Sequence, residues 1–236
     1  MYTALVTGGT RGIGLAIARG LVATGGRVMI TGRDETSVAA AVRALDPGGP
    51  AAPRVCGRAA DVRDRAAMDR VVAETVERFG GLNVLVNNAG VGVFTDVASM
   101  TDDAWARVID TNLTGVFYCT RAAIPALKKA GGGWVINIAS LAGRNYFPRG
   151  AAYCASKAGL VAFSESLMQE VRFDDIRVTC VMPGSVATDF DGPSGPHEAA
   201  AWKLTADDVA AVVLDLLRQP ARSLPSKIEL RPAKTK

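Results

Sequence analysis

Thr7-Gly8-Gly9-Thr10-Arg11-Gly12-Ile13-Gly14 is the stretch on which the reading of this chain turns. An apolar run from Tyr2 to Thr7 precedes it and reads as a short buried strand. Ile13, Ile17 and Leu21 follow at four-residue spacing, the apolar stripe of a helix, which Gly25-Gly26 then ends. Strand, glycine-rich turn and helix together form a phosphate cradle: the glycines let backbone approach a ligand closely, and the helix start offers N–H groups and the positive end of its dipole. The spacing is T-G-x-x-x-G-x-G, distinct from the G-x-G-x-x-G of many dinucleotide folds.

The same alternation continues outward. Val28 to Thr31, Arg54 to Ala60, Val84 to Val86, Trp134 to Ile138, Ile176 to Val181 and Ile228 to Leu230 read as further strands. Between them lie helices marked by Val38, Val42 and Leu45; by Met68 to Phe79; by Trp105, Val108, Ile109 and Leu113 within one helix from about Thr101 to Val116; by Leu127; by Leu160, Phe163, Leu167 and Val171; and by a run from Thr205 to Leu217. Alternating strands and helices predict an α/β fold: a Rossmann-type, doubly wound, parallel sheet of seven strands with helices on both faces. The Pro/Gly stretch Asp46 to Pro50 reads as a surface loop, so one domain over residues 1–236 is expected.

Composition narrows the partners. The 236 residues carry 27 basic and 23 acidic side chains, a net charge of +4 without a basic run, which does not point to nucleic acid. Met1 leads directly into the first apolar run, and no apolar stretch approaches the roughly 20 residues that span a bilayer, so no membrane partner and a cytoplasmic location are expected. Cys56, Cys119, Cys154 and Cys180 are dispersed without a C-x-x-C pair and read as small buried residues of a reducing compartment. The single His197 has no partner for a triad or a metal site, and no metal is expected.

Strand ends supply the candidate site, because open α/β sheets bind ligands at the carboxyl ends of their strands. Gly32 ends the second strand where an acid usually holds a ribose 2′-hydroxyl, and Arg33 follows it; with Arg11 in the glycine turn, two guanidiniums suit a 2′-phosphate. NADP(H) is therefore expected over NAD(H), although Asp34 and Glu35 lie where the other choice could be made. Asp61-Val62 ends the third strand; Asp61 can accept from an adenine amine or cap the next helix. Asn87-Asn88-Ala89-Gly90 lets the chain pass close to a flat ring. Asn112 is an amide in an apolar setting, either satisfied structurally or holding a water. Ser140 closes the fifth strand. Tyr153 and Lys157 stand four apart on the next helix, about one turn, so both meet a common ligand. An ammonium beside a phenol favours the phenolate and makes the tyrosine a usable acid and base.

Taken together, Thr7-Gly8 with Gly12-Ile13-Gly14, Asp61-Val62, Asn87-Asn88-Ala89-Gly90, Asn112, Ser140, Tyr153, Lys157, and Pro183-Gly184 with Thr188 give a chain that resembles the short-chain dehydrogenase/reductase family over nearly its full length. The resemblance implies that Tyr153 transfers the proton, that Ser140 hydrogen-bonds the substrate oxygen (a donor worth about 3 kcal/mol in comparable sites), and that Lys157 lowers the Tyr153 pKa and binds the nicotinamide ribose. It implies that Asn112 holds a relay water, that Gly8, Thr10, Arg11, Gly12, Ile13 and Gly14 line the diphosphate and ribose, that Asn88, Ala89 and Gly90 border the nicotinamide ribose, and that Pro183, Gly184, Val186 and Thr188 meet the carboxamide side. It also implies a small-molecule carbonyl or alcohol substrate and a homodimer or homotetramer. The ketone-reducing members, such as 3-oxoacyl carrier-protein reductases, look closest; an alcohol dehydrogenase running oxidatively and a cofactor-sensing protein are the alternatives.

Three features bear on the substrate. Asp191 to Glu198 is Gly/Pro-rich and reads as a small lid or a pocket rim. Asp174-Asp175 would repel an acidic carrier protein docking near them, whereas Arg144 and Arg149 could attract an anion or be solvated. Phe94, Tyr146, Phe147 and Trp202 are candidate apolar walls.

Overall fold

The computed structural model of the chain describes residues 1–46, 53–188, 190 and 201–234. Strands β1 (Thr3–Val6), β2 (Arg27–Gly32), β3 (Val55–Ala59), β4 (Val84–Asn87), β5 (Gly133–Ile138), β6 (Ile176–Pro183) and β7 (Lys227–Leu230) form one sheet in the order β3-β2-β1-β4-β5-β6-β7. Every pairing is parallel. The order reverses between β1 and β4, and there the carboxyl ends of the strands open into a crevice.

Side chains alternate across the sheet, so each strand feeds two cores. Ala4 and Val6 of β1, Val28 and Ile30 of β2, and Trp134, Ile136 and Ile138 of β5 pack on one face with helices α1 (Gly12–Ala23), α2 (Glu35–Leu45) and α7 (Ala206–Leu217). Leu5, Met29, Leu85 and Val135 point to the other face, under α3 (Arg65–Phe79), α5 (Gly115–Lys129) and α6 (Ala151–Val171). The central strands β1, β4, β5 and β6 are almost entirely buried because both faces are covered, which is why their sequences are near-continuous apolar runs, whereas the edge strands β3 and β7 are partly exposed.

The starts of α2, α3 and α7 are capped by local side chains. Asp34 accepts from Ser37 N (2.6 Å) at α2, and Thr205 and Asp208 form a capping box at α7. Asp64, rather than Asp61, caps α3 by accepting from Ala67 N at 3.1 Å. Asp61 instead accepts from the Arg63 backbone N–H (2.9 Å) and from its guanidinium at 2.6 to 3.1 Å.

The expected single helix from Thr101 to Val116 is not one regular helix. α4 (Asp102–Ile109) ends in a π-helical turn over Asp110–Thr114 before α5 begins. The wider turn admits one extra residue and swings Asn112 inward, where it is fully buried. Trp105, expected in a core, is 44% exposed, because α4 is short and packs against α6 and the π-turn rather than on the sheet. The expected lid at 191–198, His197, and most of the loop after Asp46 lie outside the described residues.

Candidate active site

The glycine turn is shaped by what it lacks. Gly8 and Gly12 take φ of +64° and +53°, a region costly for residues with a Cβ. A Cβ on Gly14 would lie 2.3 Å from the Gly8 carbonyl oxygen and 2.4 Å from Asn88 Nδ2. The Asn88 amide occupies that space and braces the turn, donating to the carbonyls of Thr7 and Gly8 at 3.0 Å each. Thr7 Oγ1 in turn accepts from the backbone N–H groups of Asn88 and Ala89 (3.0 and 3.1 Å), which joins the ends of β1 and β4. Thr7 was not singled out in the sequence beyond the motif itself.

α1 begins at this turn with Arg11 as its N-cap, without a side-chain cap bond and without an acid in the first turn. Its N-terminal N–H groups and dipole therefore face the crevice uncompensated by an anion of its own first turn. Thr188 closes over the same place: a Cβ on Gly12 would sit 3.5 Å from Thr188 Cγ2. The segment carrying Val186 and Thr188 leaves β6 at Pro183-Gly184, where Gly184 N donates to the Leu230 carbonyl (2.8 Å), and is held by a backbone pair between Ala187 and Leu204 (2.8 Å). A diphosphate fits this cradle on backbone grounds.

The ends of β2 and β3 bring charged side chains together. Gly32 ends β2, and Arg33 is exposed beside it. Asp34 is committed to capping α2, and hydrogen bonds from the Ser37 side chain and backbone hold its carboxyl below the usual range. Asp61 is likewise held down, first by the hydrogen bond from Arg63, with the charges of Arg63 and Arg33 adding to it. Arg33 and Asp61 thus follow the neighbouring ends of β2 and β3, close enough for the charge of one to act on the other.

The reactive end is built on α6. Lys157 is 4% exposed; its Nζ donates to the Ile138 carbonyl at 2.9 Å and lies 5.7 Å from the centre of the Tyr153 ring. Burial pushes its pKa down to about 8. With one N–H spent on Ile138, two donors remain for a ligand and for Tyr153. Ser140 stands at the end of β5; its Oγ accepts from Ala142 N (3.1 Å), a bond that fixes the oxygen and leaves the hydroxyl hydrogen to be donated. Gly90 passes close by: a Cβ there would lie 3.3 Å from Asn112 Oδ1 and 3.8 Å from Lys157 Nζ.

Asn112 is tied on both sides to the backbone of Val91, accepting from its N–H (2.8 Å) and donating to its carbonyl (2.9 Å). Its second amide hydrogen goes to Ser156 Oγ at 3.0 Å, and Ser156 donates to the Tyr153 carbonyl at 2.7 Å. Ser156, unremarked in the sequence, thus couples the π-turn to the first turns of α6. The rings around Tyr153 are Phe94 and Phe190, with centroids at 5.6 and 5.7 Å. Phe190 had no signal in the sequence, and Tyr146, 70% exposed, is not in this ring group. Half-buried Trp202 makes no ring contact among the described residues. Among the described residues no cluster of His, Cys, Asp or Glu could hold a metal, and no helix is long and apolar enough to cross a membrane.

Two charged features change meaning. Arg144 pairs with Glu229 (3.3 Å), which Arg231 also engages at 2.8 Å, so it is tethered to β7 and shares one carboxylate with a second guanidinium. Asp174-Asp175 precede β6 at the amino edge of the sheet, opposite the crevice, and Asp174 pairs with Lys128 at 2.8 Å. They therefore do not bear on docking at the site, contrary to the sequence expectation.

The family model described as short chain dehydrogenase matches residues 2–199. The chain belongs to this short-chain dehydrogenase family. A 3-oxoacyl-[acyl-carrier-protein] reductase of Synechocystis sp. is 39% identical over 189 residues, covering 79% of this chain and 75% of that protein. A structure of an alcohol dehydrogenase from the archaeon Thermococcus sibiricus, complexed with 5-hydroxy-NADP, superposes with a TM-score of 0.89 at 27% identity over 100% of this chain and 98% of that one. A metagenomic short-chain oxidoreductase in complex with NADP superposes with a TM-score of 0.85 at 35% identity over 99% and 98%. This short-chain dehydrogenase is an NAD(P)-dependent oxidoreductase.

Proposed function

We propose that this short-chain dehydrogenase reduces a ketone to a secondary alcohol with NADPH, and that Tyr153 is its general acid. The observation that carries the proposal is the Lys157 ammonium, buried within 5.7 Å of the Tyr153 ring centre and anchored on the Ile138 carbonyl. A cation kept out of water beside a phenol favours its ionised form, and a phenol so tuned can give up its proton at working pH. The 3-oxoacyl reductase relative supports the same direction, and the neighbours that hold NADP and 5-hydroxy-NADP support the same cofactor.

NADPH, when bound, supplies the hydride. The protein orders the rest. Ser140 donates to the carbonyl oxygen and holds it at Tyr153; the carbonyl carbon gains the hydride while the oxygen takes the Tyr153 proton, giving the alcohol and NADP⁺. Lys157 stabilises the resulting phenolate, which regains a proton from solvent. Asn112 and Ser156 act as positioning residues by locking the π-turn to α6. Gly8, Thr10, Gly12, Ile13 and Gly14 would receive the diphosphate, Arg11 and Arg33 the 2′-phosphate, Asp61 and Val62 the adenine, Asn88, Ala89 and Gly90 the nicotinamide ribose, and Pro183, Gly184, Val186 and Thr188 the carboxamide.

Exposed Trp105 and Phe117 (44% and 42%) on α4 and α5, together with the half-exposed edge strand β7, support assembly as a homodimer or homotetramer. Light scattering should return a particle of two or four chains; a monomer at micromolar concentration would contradict this. The reaction is tested by Tyr153→Phe, which should lower kcat by about 100- to 10,000-fold while NADPH affinity, read by nucleotide fluorescence, stays close to wild type. A fully active variant would remove Tyr153 from the chemistry.

A further inference from the structure

Phe94, Phe147 and Phe190 form an aromatic wall at the mouth of the site. Phe94 meets Tyr153 edge-on (67° between planes), Phe190 meets it tilted at 58°, and Phe147 lies 5.9 Å from Phe94 at 43°. All three remain 36 to 43% exposed.

These rings are seated rather than draped. A Cβ on Gly92 would lie 2.7 Å from Phe94 Cζ and 3.0 Å from Phe190 Cε1, so both rings rest over that backbone. A Cβ on Gly150 would lie 2.5 Å from Phe147 Cε2. Between them Arg149 adopts φ +66°, rare for a residue with a Cβ, and its carbonyl accepts from Thr95 N at 2.9 Å while its guanidinium reaches the Phe94 carbonyl at 3.4 Å. Two glycines and one strained arginine therefore hold the Phe94 segment against the start of α6. Arg144 shares Glu229 with Arg231, and the Arg149 guanidinium lies on the Phe94 carbonyl, so the rings stand between two cations.

We propose that the site takes ketones whose carbonyl lies one or two carbons from a flat aromatic ring, the ring packing against Phe94 and Phe190 while the carbonyl oxygen meets Tyr153 and Ser140. This rests on the ketone-reductase reading above and names its substrate class. Non-parallel rings within 6 Å of one another offer edge-to-face partners to a third ring, which a saturated ring or an acyl chain of equal volume does not exploit.

The test compares kcat/KM with NADPH for 2-tetralone, for its saturated counterpart 2-decalone, and for a 3-oxobutanoyl thioester. Neither bicyclic carbonyl is conjugated, so ring recognition separates from electrophilicity. The inference expects 2-tetralone to be preferred over 2-decalone by about 5-fold or more, and Phe94→Leu and Phe190→Leu each to shrink that ratio by about 2- to 10-fold. NADPH titration of each variant checks that it is folded. Equal or inverse preference in the wild type overturns the inference, as does a ratio that neither variant changes. Turnover of the thioester with neither bicycle reduced also overturns it, yet leaves ketone reduction standing. Consumption of NADPH with none of the three compounds counts against the ketone-reductase reading itself.

Discussion

At the glycine turn the crevice is shaped by backbone, whereas at its mouth it is shaped by side chains. The turn brings Gly8, Gly14 and Asn88 so close that a single methyl would collide at 2.3 Å with a carbonyl oxygen, and Thr7, Gly8 and Asn88 are joined by hydrogen bonds of about 3 Å. The mouth is a set of half-exposed rings standing on Gly92 and Gly150. One end cannot change without moving β1 and β4; the other can exchange rings and keep the sheet. A fold can thus hold one cofactor while its substrates diverge, and substitutions at the two ends should fail in different ways.

The strongest test of that contrast lies where the two ends meet. Lys157→Met should reduce kcat by about 100-fold or more through Tyr153 and should also weaken NADPH binding, because the same ammonium faces both; loss of neither would separate Lys157 from the site. At the backbone-shaped end, Gly14→Ala should cost about 1 to 3 kcal/mol of stability from overpacking and weaken NADPH binding, while Gly81→Ala, where a Cβ would meet nothing within 4 Å, should melt near wild type. Equal melting temperatures for the two variants would break the argument. Arg33→Ala should weaken NADPH by about 10- to 100-fold, the worth of a charge-assisted bond, and leave NADH nearly unaffected; parallel titrations with the two nucleotides decide it.

Stability against pH probes the same lysine without the cofactor. The Lys157 pKa is depressed to about 8 in the fold from an ordinary 10.5. Between those values the unfolded chain binds the proton more than the folded one, so the cost of burying the charge fades as pH rises. The cofactor-free protein should therefore gain stability relative to Lys157→Met as pH is raised from about 8 to about 10.5. A flat difference in urea midpoints across that window would show that Lys157 is not desolvated.

Much of this was legible in the chain because the signals are local. Strand ends, the glycine turn and the apolar stripes of α1, α2, α3, α6 and α7 depend on neighbours in sequence, and all seven strands fall where the apolar runs place them. Other features rest on contacts distant in sequence. The π-turn arises because Asn112 finds the backbone of Val91, so the period-3.6 pattern from Thr101 to Val116 gave no hint of it. Phe190 follows Thr188 in a stretch without periodicity, and its place beside Tyr153 is set by the path of the chain after β6. Arg144 read as a free cation because Glu229 is 85 positions away. Asp61 and Asp64 are three residues apart, and only the start of α3 decides which one caps it.

The most direct measurement is consumption of NADPH and of NADH, run in parallel by the wild-type protein against a panel of ketones, diketones and 3-oxoacyl thioesters. The account predicts oxidation of NADPH that depends on a ketone, with NADH much slower at low concentration. Equal rates with both nucleotides would contradict the placing of Arg11 and Arg33 at a 2′-phosphate, and binding of NADPH without turnover of any carbonyl would contradict the reductase itself.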